Sequence, residues 1–255
     1  RWRAGTTPAL VTAWLLSLSS CDAAQTSSDP WDAGEPTAID GGADAHEPAR
    51  CRAPEGISPA PRTVADVVEL LNALPRPVSL PCFLETLERP LAISATDSIF
   101  SLQPAEGTRS PRIFLHLDTL TLSVVPEGTG APLLELAERR SPTTSLKAEL
   151  AFPIEAPLSA ASPYERLRFD DRLTNCGVCH QGESPAEDVN LPLAMLSQAL
   201  RPRDDQRVPL ERLRAEASSC DAAQEPERCA LLDALFGPAP APRDGAFPAT
   251  YNTFF

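Results

Sequence analysis

The chain has 255 residues, of which 42% are hydrophobic, so it is long enough for one or two domains with hydrophobic cores. Its 28 prolines and 5% aromatic residues predict many loops and extended segments around a modest core. The formal net charge of −13 argues against nucleic acid as a partner, because phosphate binding needs clustered cations.

The first 20 residues are arranged like an export signal. Arg1 and Arg3 make a short basic start, and the apolar stretch at 10–18 is too short to span a membrane as a helix. The sequence LSSC at 18–21 resembles the lipobox of bacterial lipoproteins. This resemblance implies a lipid anchor on Cys21 and an extracytoplasmic, membrane-anchored protein on the periplasmic side or at the cell surface. An ordinary cleaved signal or a buried helix is the alternative.

Residues 21–62 are predicted to form an acidic disordered tether. Aspartate and glutamate outnumber arginine there, and no apolar period is visible. Such a segment cannot bury enough surface to offset the entropy lost on ordering. A flexible tether of this kind suits a lipoprotein whose folded part is held at a distance from the membrane.

Residues 63–158 are predicted to form a small α+β domain with a mostly antiparallel sheet. Apolar residues recur at helical spacing from Val64 to Leu74, and Pro75 ends that run. Alternating patterns then predict strands, with a bulge or change of sheet face at 117–120. The further predicted elements are a short helix at 82–87, strands at 91–95, 133–136 and 146–152, and one or two strands at 113–125.

Residues 159–240 are predicted to form a helical domain, followed by a proline-rich, extended tail at 241–255. Ser162-Pro163-Tyr164-Glu165 fits a helix start, and that helix is expected to run toward Asn175. The remaining predicted helices cover 191–200, 210–217 and 225–236.

Seven cysteines are distributed along the chain. If Cys21 carries lipid and the closely spaced Cys176 and Cys179 act as a unit, an even number remains to form disulfides. Closing a short loop costs less entropy than closing a long one, which favours two local pairs. These pairs are Cys51–Cys82 and Cys220–Cys229.

The stretch Cys176-Gly-Val-Cys179-His180 combines two thiols and an imidazole in five residues. Covalent haem c needs two thiols for the porphyrin vinyl groups and an imidazole for the iron, and Cys-x-x-Cys-His is the attachment pattern. In these three residues the chain resembles c-type cytochromes. The resemblance implies a cytochrome c-like C-terminal domain with one covalent haem, Cys176 and Cys179 as thioether attachment points, and His180 as the proximal iron ligand.

Met195 is the candidate for the second iron ligand. It is the only methionine and lies on the predicted helix at 191–200, which is apolar on two sides and could pack against haem. Filling the core is the alternative role for this side chain. His116 is expected to be a structural histidine on a strand, and His46 lies in the tether. A five-coordinate or water-ligated iron also stays open.

Three other uses of the motif compete with haem attachment. They are a redox dithiol, a zinc site with a fourth ligand, and a plain Cys176–Cys179 disulfide. No Gly-x-Ser-x-Gly, phosphate loop or dinucleotide fingerprint is present, so an electron carrier or binding protein is expected rather than a catalyst. The expected function is electron transfer to a redox protein partner. The competing function is that of a non-enzymatic structural or interaction lipoprotein.

Overall fold

A computed structural model of the chain describes residues 50–253, and all of these belong to one compact unit. The predictions for the signal segment, for Cys21, for His46 and for most of the tether concern residues outside this range. Within it, the chain is a mixed α/β protein with a mostly antiparallel sheet and five α-helices. None of the described helices has the length and apolar character needed to cross a membrane.

Eight strands form one sheet in the order β6-β7-β5-β4-β3-β2-β1-β9. All neighbours pair antiparallel except β1 and β9, which are parallel. A separate pair of parallel strands is formed by β8 and β10. The strands are β1 (Ala92–Thr96), β2 (Arg112–Leu117), β3 (Leu120–Val124), β4 (Leu133–Arg139), β5 (Thr144–Ala151), β6 (Ser184–Pro185), β7 (Met195–Gln198), β8 (Leu200–Arg201), β9 (Arg243–Asp244) and β10 (Asn252–Thr253).

Helices cover one face of this sheet and close the hydrophobic core. They are α1 (Val64–Ala73), α2 (Leu80–Glu85), α3 (Ser162–Glu165), α4 (Leu210–Ser218) and α5 (Pro226–Phe236). Leu115 of β2 and Leu122 of β3 point into this core and are fully buried. The first helix begins at a capping box, in which Thr63 accepts from the Asp66 amide at 3.1 Å and Asp66 accepts from the Thr63 amide at 3.0 Å.

The region 113–125, predicted as one or two strands, forms two strands joined in a tight hairpin, and the predicted bulge at 117–120 is a turn. Leu117 pairs with Leu120, so only two residues connect β2 to β3. Asp118 adopts a left-handed conformation with φ 49° at this turn. The slip in alternation therefore marks a reversal of the chain, which aspartate tolerates better than most residues.

The predicted helix from Ser162 toward Asn175 ends after one turn at Glu165. Asp170 accepts hydrogen bonds from the amides of Arg172 and Leu173, at 2.7 and 2.8 Å. This local turn competes with helical hydrogen bonding, and the chain folds back so that the Asn175 amide reaches the Leu167 carbonyl at 2.7 Å. The motif consequently follows a turn instead of a helix.

The predicted helix at 191–200 is wrong, because residues Met195–Gln198 form strand β7 and pair with β5. Pro192 and two left-handed residues, Asn190 (φ 49°) and Leu193 (φ 62°), prevent a helix from starting there. Of the helices predicted for residues 159–240, only those at 210–217 and 225–236 are long helices in the structure. Strands β6 and β7 of the same segment extend the sheet, so this part of the chain is not a purely helical unit.

The start of the folded part lies earlier than the predicted tether boundary at residue 62. Residues 51–62 contain no helix or strand, yet Cys51 is bonded to Cys82 and its amide donates to Glu85 at 2.8 Å. Ile57 packs against the core, and the Glu88 amide donates to the Pro59 carbonyl at 2.8 Å. These contacts hold the last part of the predicted tether against the domain.

At the other end, the proline-rich tail contributes β9 and β10.

Candidate functional site

The face of the sheet opposite the core carries polar and charged side chains. Cross-strand neighbours share a face, and the register aligns Phe114, Ser123, Glu135 and Glu149 in one row across β2 to β5. A second row contains Thr121, Ala137 and Lys147. Six polar side chains of these strands face a cavity under the Cys-x-x-Cys-His segment. We call this group the polar floor: Arg112, Thr121, Ser123, Glu135, Lys147 and Glu149.

The Cys-x-x-Cys-His segment lies across this floor and encloses a cavity with it. Cys176, Cys179 and His180 all line the cavity, whose empty volume is about 1090 Å³ counted out to the open solvent. Apolar residues complete the walls: Phe100, Leu102, Phe114, Leu167, Leu200, Pro202 and Phe247. A concave site with apolar walls and a few convergent polar groups is typical of ligand and cofactor sites.

A short turn presents the motif to the cavity. Residues Asn175–Val178 form one turn of 3₁₀ helix, and the His180 amide donates to the Cys176 carbonyl at 2.8 Å. Glu183 holds the start of this turn by accepting from the Thr174 amide at 2.9 Å and from the Thr174 hydroxyl. A Cβ on Gly177 would come within 2.6 Å of a Glu183 carboxylate oxygen, so a larger residue here would displace this carboxylate from Thr174.

The imidazole of His180 is fixed by one backbone contact. Its Nδ1 lies 2.7 Å from the Gln198 carbonyl oxygen, which can only accept, so Nδ1 carries the proton and donates. The lone pair of the ring is therefore on Nε2. Burial, with a further contribution from Lys147, lowers the pKa of His180 to about 3, so the imidazole is neutral at physiological pH.

The two motif cysteines are unpaired thiols in the structure. Burial raises the pKa of Cys176 to about 12, against a smaller opposing effect of Lys147. A dithiol oxidoreductase needs a thiolate stabilised near neutral pH, and this environment does the opposite. Among the described residues, no three His, Cys, Asp or Glu side chains converge on a common metal position, so the geometry does not favour the zinc alternative.

Two charged pairs neutralise most of the polar floor. Arg112 forms an ion pair with Glu135 and donates to Ser123 at 3.0 Å. Arg166 donates to Glu149 at 3.0 Å, although burial still raises the pKa of that carboxyl group. Lys147 lies in the neighbouring row, opposite Ala137, and burial lowers its pKa to about 8.

The other predicted site residues are distributed as follows. Met195 lies on β7, is 8% exposed and is not among the side chains that line the cavity. His116 lies outside the cavity, where its Nε2 is 2.8 Å from the Ser94 hydroxyl, a structural setting. The structure pairs Cys51 with Cys82 and Cys220 with Cys229, as short loop closure favours.

Sequence reasoning missed the polar floor. Its signal was present, because Leu146-Lys147-Ala148-Glu149-Leu150 alternates apolar with charged residues, as a strand with one polar face does. What the pattern could not show is that this face lies under the motif. No protein-family model, curated protein or solved structure matches the chain.

Proposed function

We propose that this protein is a membrane-anchored extracytoplasmic lipoprotein that carries one covalent haem c for electron transfer. One observation carries the proposal: Cys176, Cys179 and His180, the three residues that haem c attachment requires, line a single cavity. The cavity belongs to the sheet-containing domain, so the haem would lie against the polar floor instead of in a separate helical domain. The lipobox-like sequence ending at Cys21 supports the anchor.

The chemistry of the donor set fits this group. Iron binds the neutral imidazole, and His180 combines a strongly lowered pKa with a proton held on Nδ1 by the Gln198 carbonyl. Histidine ligands of metals almost always donate their other ring nitrogen in this way. Both thiols are free to form thioether bonds.

Each part of the cavity has a defined role in this proposal. Gln198 orients the imidazole, and Gly177 lets Glu183 hold the turn that carries both thiols. Phe114 and Phe247, whose rings are in edge contact at 4.9 Å, restrict water at one wall. When bound, haem supplies an iron that changes its oxidation state by one electron.

The first test is an alkaline pyridine haemochrome spectrum of protein made with the cytochrome c maturation system. We expect a haem c band, an intact mass increased by one haem, and loss of both in Cys176→Ala/Cys179→Ala. The matched control is Cys220→Ser/Cys229→Ser, which removes two cysteines outside the motif and is expected to retain the band. Association of the protein with membranes, lost in Cys21→Ser, tests the anchor.

Absence of the band from folded wild-type protein would overturn the haem proposal. Recovery of Cys176 and Cys179 as a disulfide in that protein would instead support the structural or interaction lipoprotein.

A further inference from the structure

Lys147 is the only lysine in the chain. The sequence contains 22 lysine and arginine residues, and every other one is arginine. Arginine stays protonated in proteins, whereas a lysine amine can lose its proton and expose a nitrogen lone pair. Lys147 is therefore the one side chain in the sequence with an amine that can lose its proton and offer a nitrogen lone pair.

This lysine lies on β5, the last of the four strands that form the cavity floor. Strand β5 places it next to Ala137 of β4, facing the motif, and it is only 9% exposed. Among the described residues, none accepts a hydrogen bond from its amine, although a buried ammonium ion normally requires such partners. With a pKa of about 8, the amine is still protonated at neutral pH, so binding a metal would release one proton but would not break a hydrogen bond of this side chain.

The other strong donors of the floor already have partners. The Glu135 carboxylate is paired with Arg112, and the Glu149 carboxylate accepts from Arg166. Using either carboxylate as a ligand would break an existing ion pair, Arg112–Glu135 or Arg166–Glu149. The amine of Lys147 can be used without breaking any such pair.

Met195 is less well placed than Lys147. Leu146 pairs with Leu196 in the antiparallel register, and the next step sets Met195 beside Lys147 on the neighbouring strand. Both side chains are thus on the same face of the sheet. Only Lys147 lines the cavity that contains Cys176, Cys179 and His180.

We propose that Lys147, in place of Met195, would supply the second protein ligand of the haem iron. This inference rests on the haem attachment proposed above. It assigns the iron two nitrogen ligands, an imidazole from His180 and a primary amine from Lys147. A strong-field pair of this kind favours low-spin iron and closes the position at which small exogenous ligands bind.

The test compares wild type, Lys147→Ala and Met195→Ala, each loaded with haem. Pyridine haemochrome spectra first establish the haem content of each protein. Electron paramagnetic resonance of the ferric state then reports the spin state. We expect a low-spin signal from wild type and Met195→Ala, and its replacement by a high-spin signal in Lys147→Ala.

Chemical rescue separates loss of a ligand from structural damage. Methylamine should restore the low-spin signal of Lys147→Ala, because a small primary amine can occupy the vacated space, whereas guanidinium should not. Lys147→Met, which keeps the side-chain length, is the second variant. Its low-spin signal, if retained, should differ from that of wild type because sulfur replaces nitrogen.

Specific results would overturn the ligand assignment. A high-spin wild type would do so, as would a Lys147→Ala protein with the wild-type spectrum. Loss of the low-spin signal in Met195→Ala alone would assign the ligand to Met195. These results differ from failure of the underlying function, in which no haemochrome band is seen in any of the proteins.

Discussion

Several side chains of this protein have pKa values that burial shifts away from those in water. His116 is a clear case outside the cavity: its ring packs edge-on against Phe247 at 4.8 Å and contacts the Ser94 hydroxyl. Burial, assisted by Arg243, lowers the pKa of His116 to about 4. Gly245 allows this approach, since a Cβ there would lie 2.4 Å from the imidazole.

The lowered pKa of His116 predicts a loss of stability in acid. The unfolded chain takes up a proton below pH ~6.5, while the folded chain takes it up only near pH 4. The free energy of unfolding should therefore fall as the pH drops through this window, by up to ~3 kcal/mol from this group. Urea unfolding at pH 7 and at pH 4 measures the loss. His116→Gln should show a smaller loss, and equal losses in the two proteins would refute the assignment.

Secondary-structure elements were predictable where local signals set both ends. Helix α1 has the Thr63 capping box and a proline after its last turn, and α5 begins at Pro226, so the observed bounds are close to those expected. The apolar stretch around Met195 has no capping box or comparable signal that sets its ends. A short apolar stretch fits a helix or a strand, and pairing with the edge of β5 decided the outcome.

The candidate site could be predicted only in part, because only some of its residues are neighbours in sequence. The motif residues are adjacent in sequence, so their pattern is readable. Arg112, Glu135 and Lys147 come from three different strands, and only the pairing register brings them under the motif. Register depends on contacts between distant segments, which residue patterns within one strand do not encode.

The last carbonyl groups of helix α5 accept hydrogen bonds from a residue that is far away in sequence. Arg89 donates to the carbonyls of Ala234 and Leu235, at 2.5 and 2.9 Å, and to that of Leu84 at 3.1 Å. Carbonyl groups at a helix end otherwise lack partners. The Arg89 guanidinium therefore also joins α5 to α2.

Replacement of Arg89 should destabilise the domain. Burial lowers its pKa to about 10, so the group is still charged at neutral pH and its hydrogen bonds are charge-assisted. We expect Arg89→Ala to reduce the free energy of unfolding by about 2–3 kcal/mol. The control is Arg52→Ala, at an exposed position, with an expected change within about 0.5 kcal/mol. An equally small effect of both substitutions in urea unfolding would contradict the capping role.

At the scale of the whole molecule, two disulfides connect distant parts of the fold. Cys51–Cys82 joins the segment before α1 to α2 across 31 positions, and Cys220–Cys229 joins the end of α4 to α5 across 9. A cross-link stabilises mainly by restricting the unfolded chain, and the effect grows with loop length. The two bonds should therefore contribute unequally.

Removal of each disulfide tests this inequality. The chain-entropy relation gives ~4 kcal/mol for the longer loop and ~2.5 kcal/mol for the shorter one. Cys51→Ser/Cys82→Ser should thus lose more unfolding free energy than Cys220→Ser/Cys229→Ser, as measured by urea denaturation at pH 7. A larger loss in the second variant would show that contacts in the folded state, and not loop length, dominate.

The lone lysine also limits the reaction of the folded molecule with amine-reactive reagents to a single side chain. Lys147 is the only side-chain amine and is 9% exposed, so acylation at that position requires the reagent to enter the cavity or the segment that covers the cavity to open. Each molecule can gain a single side-chain label, visible as one mass increment distinct from modification of the terminal amine. The labelling rate therefore reports how accessible this one cavity is in the native protein, without any engineered probe.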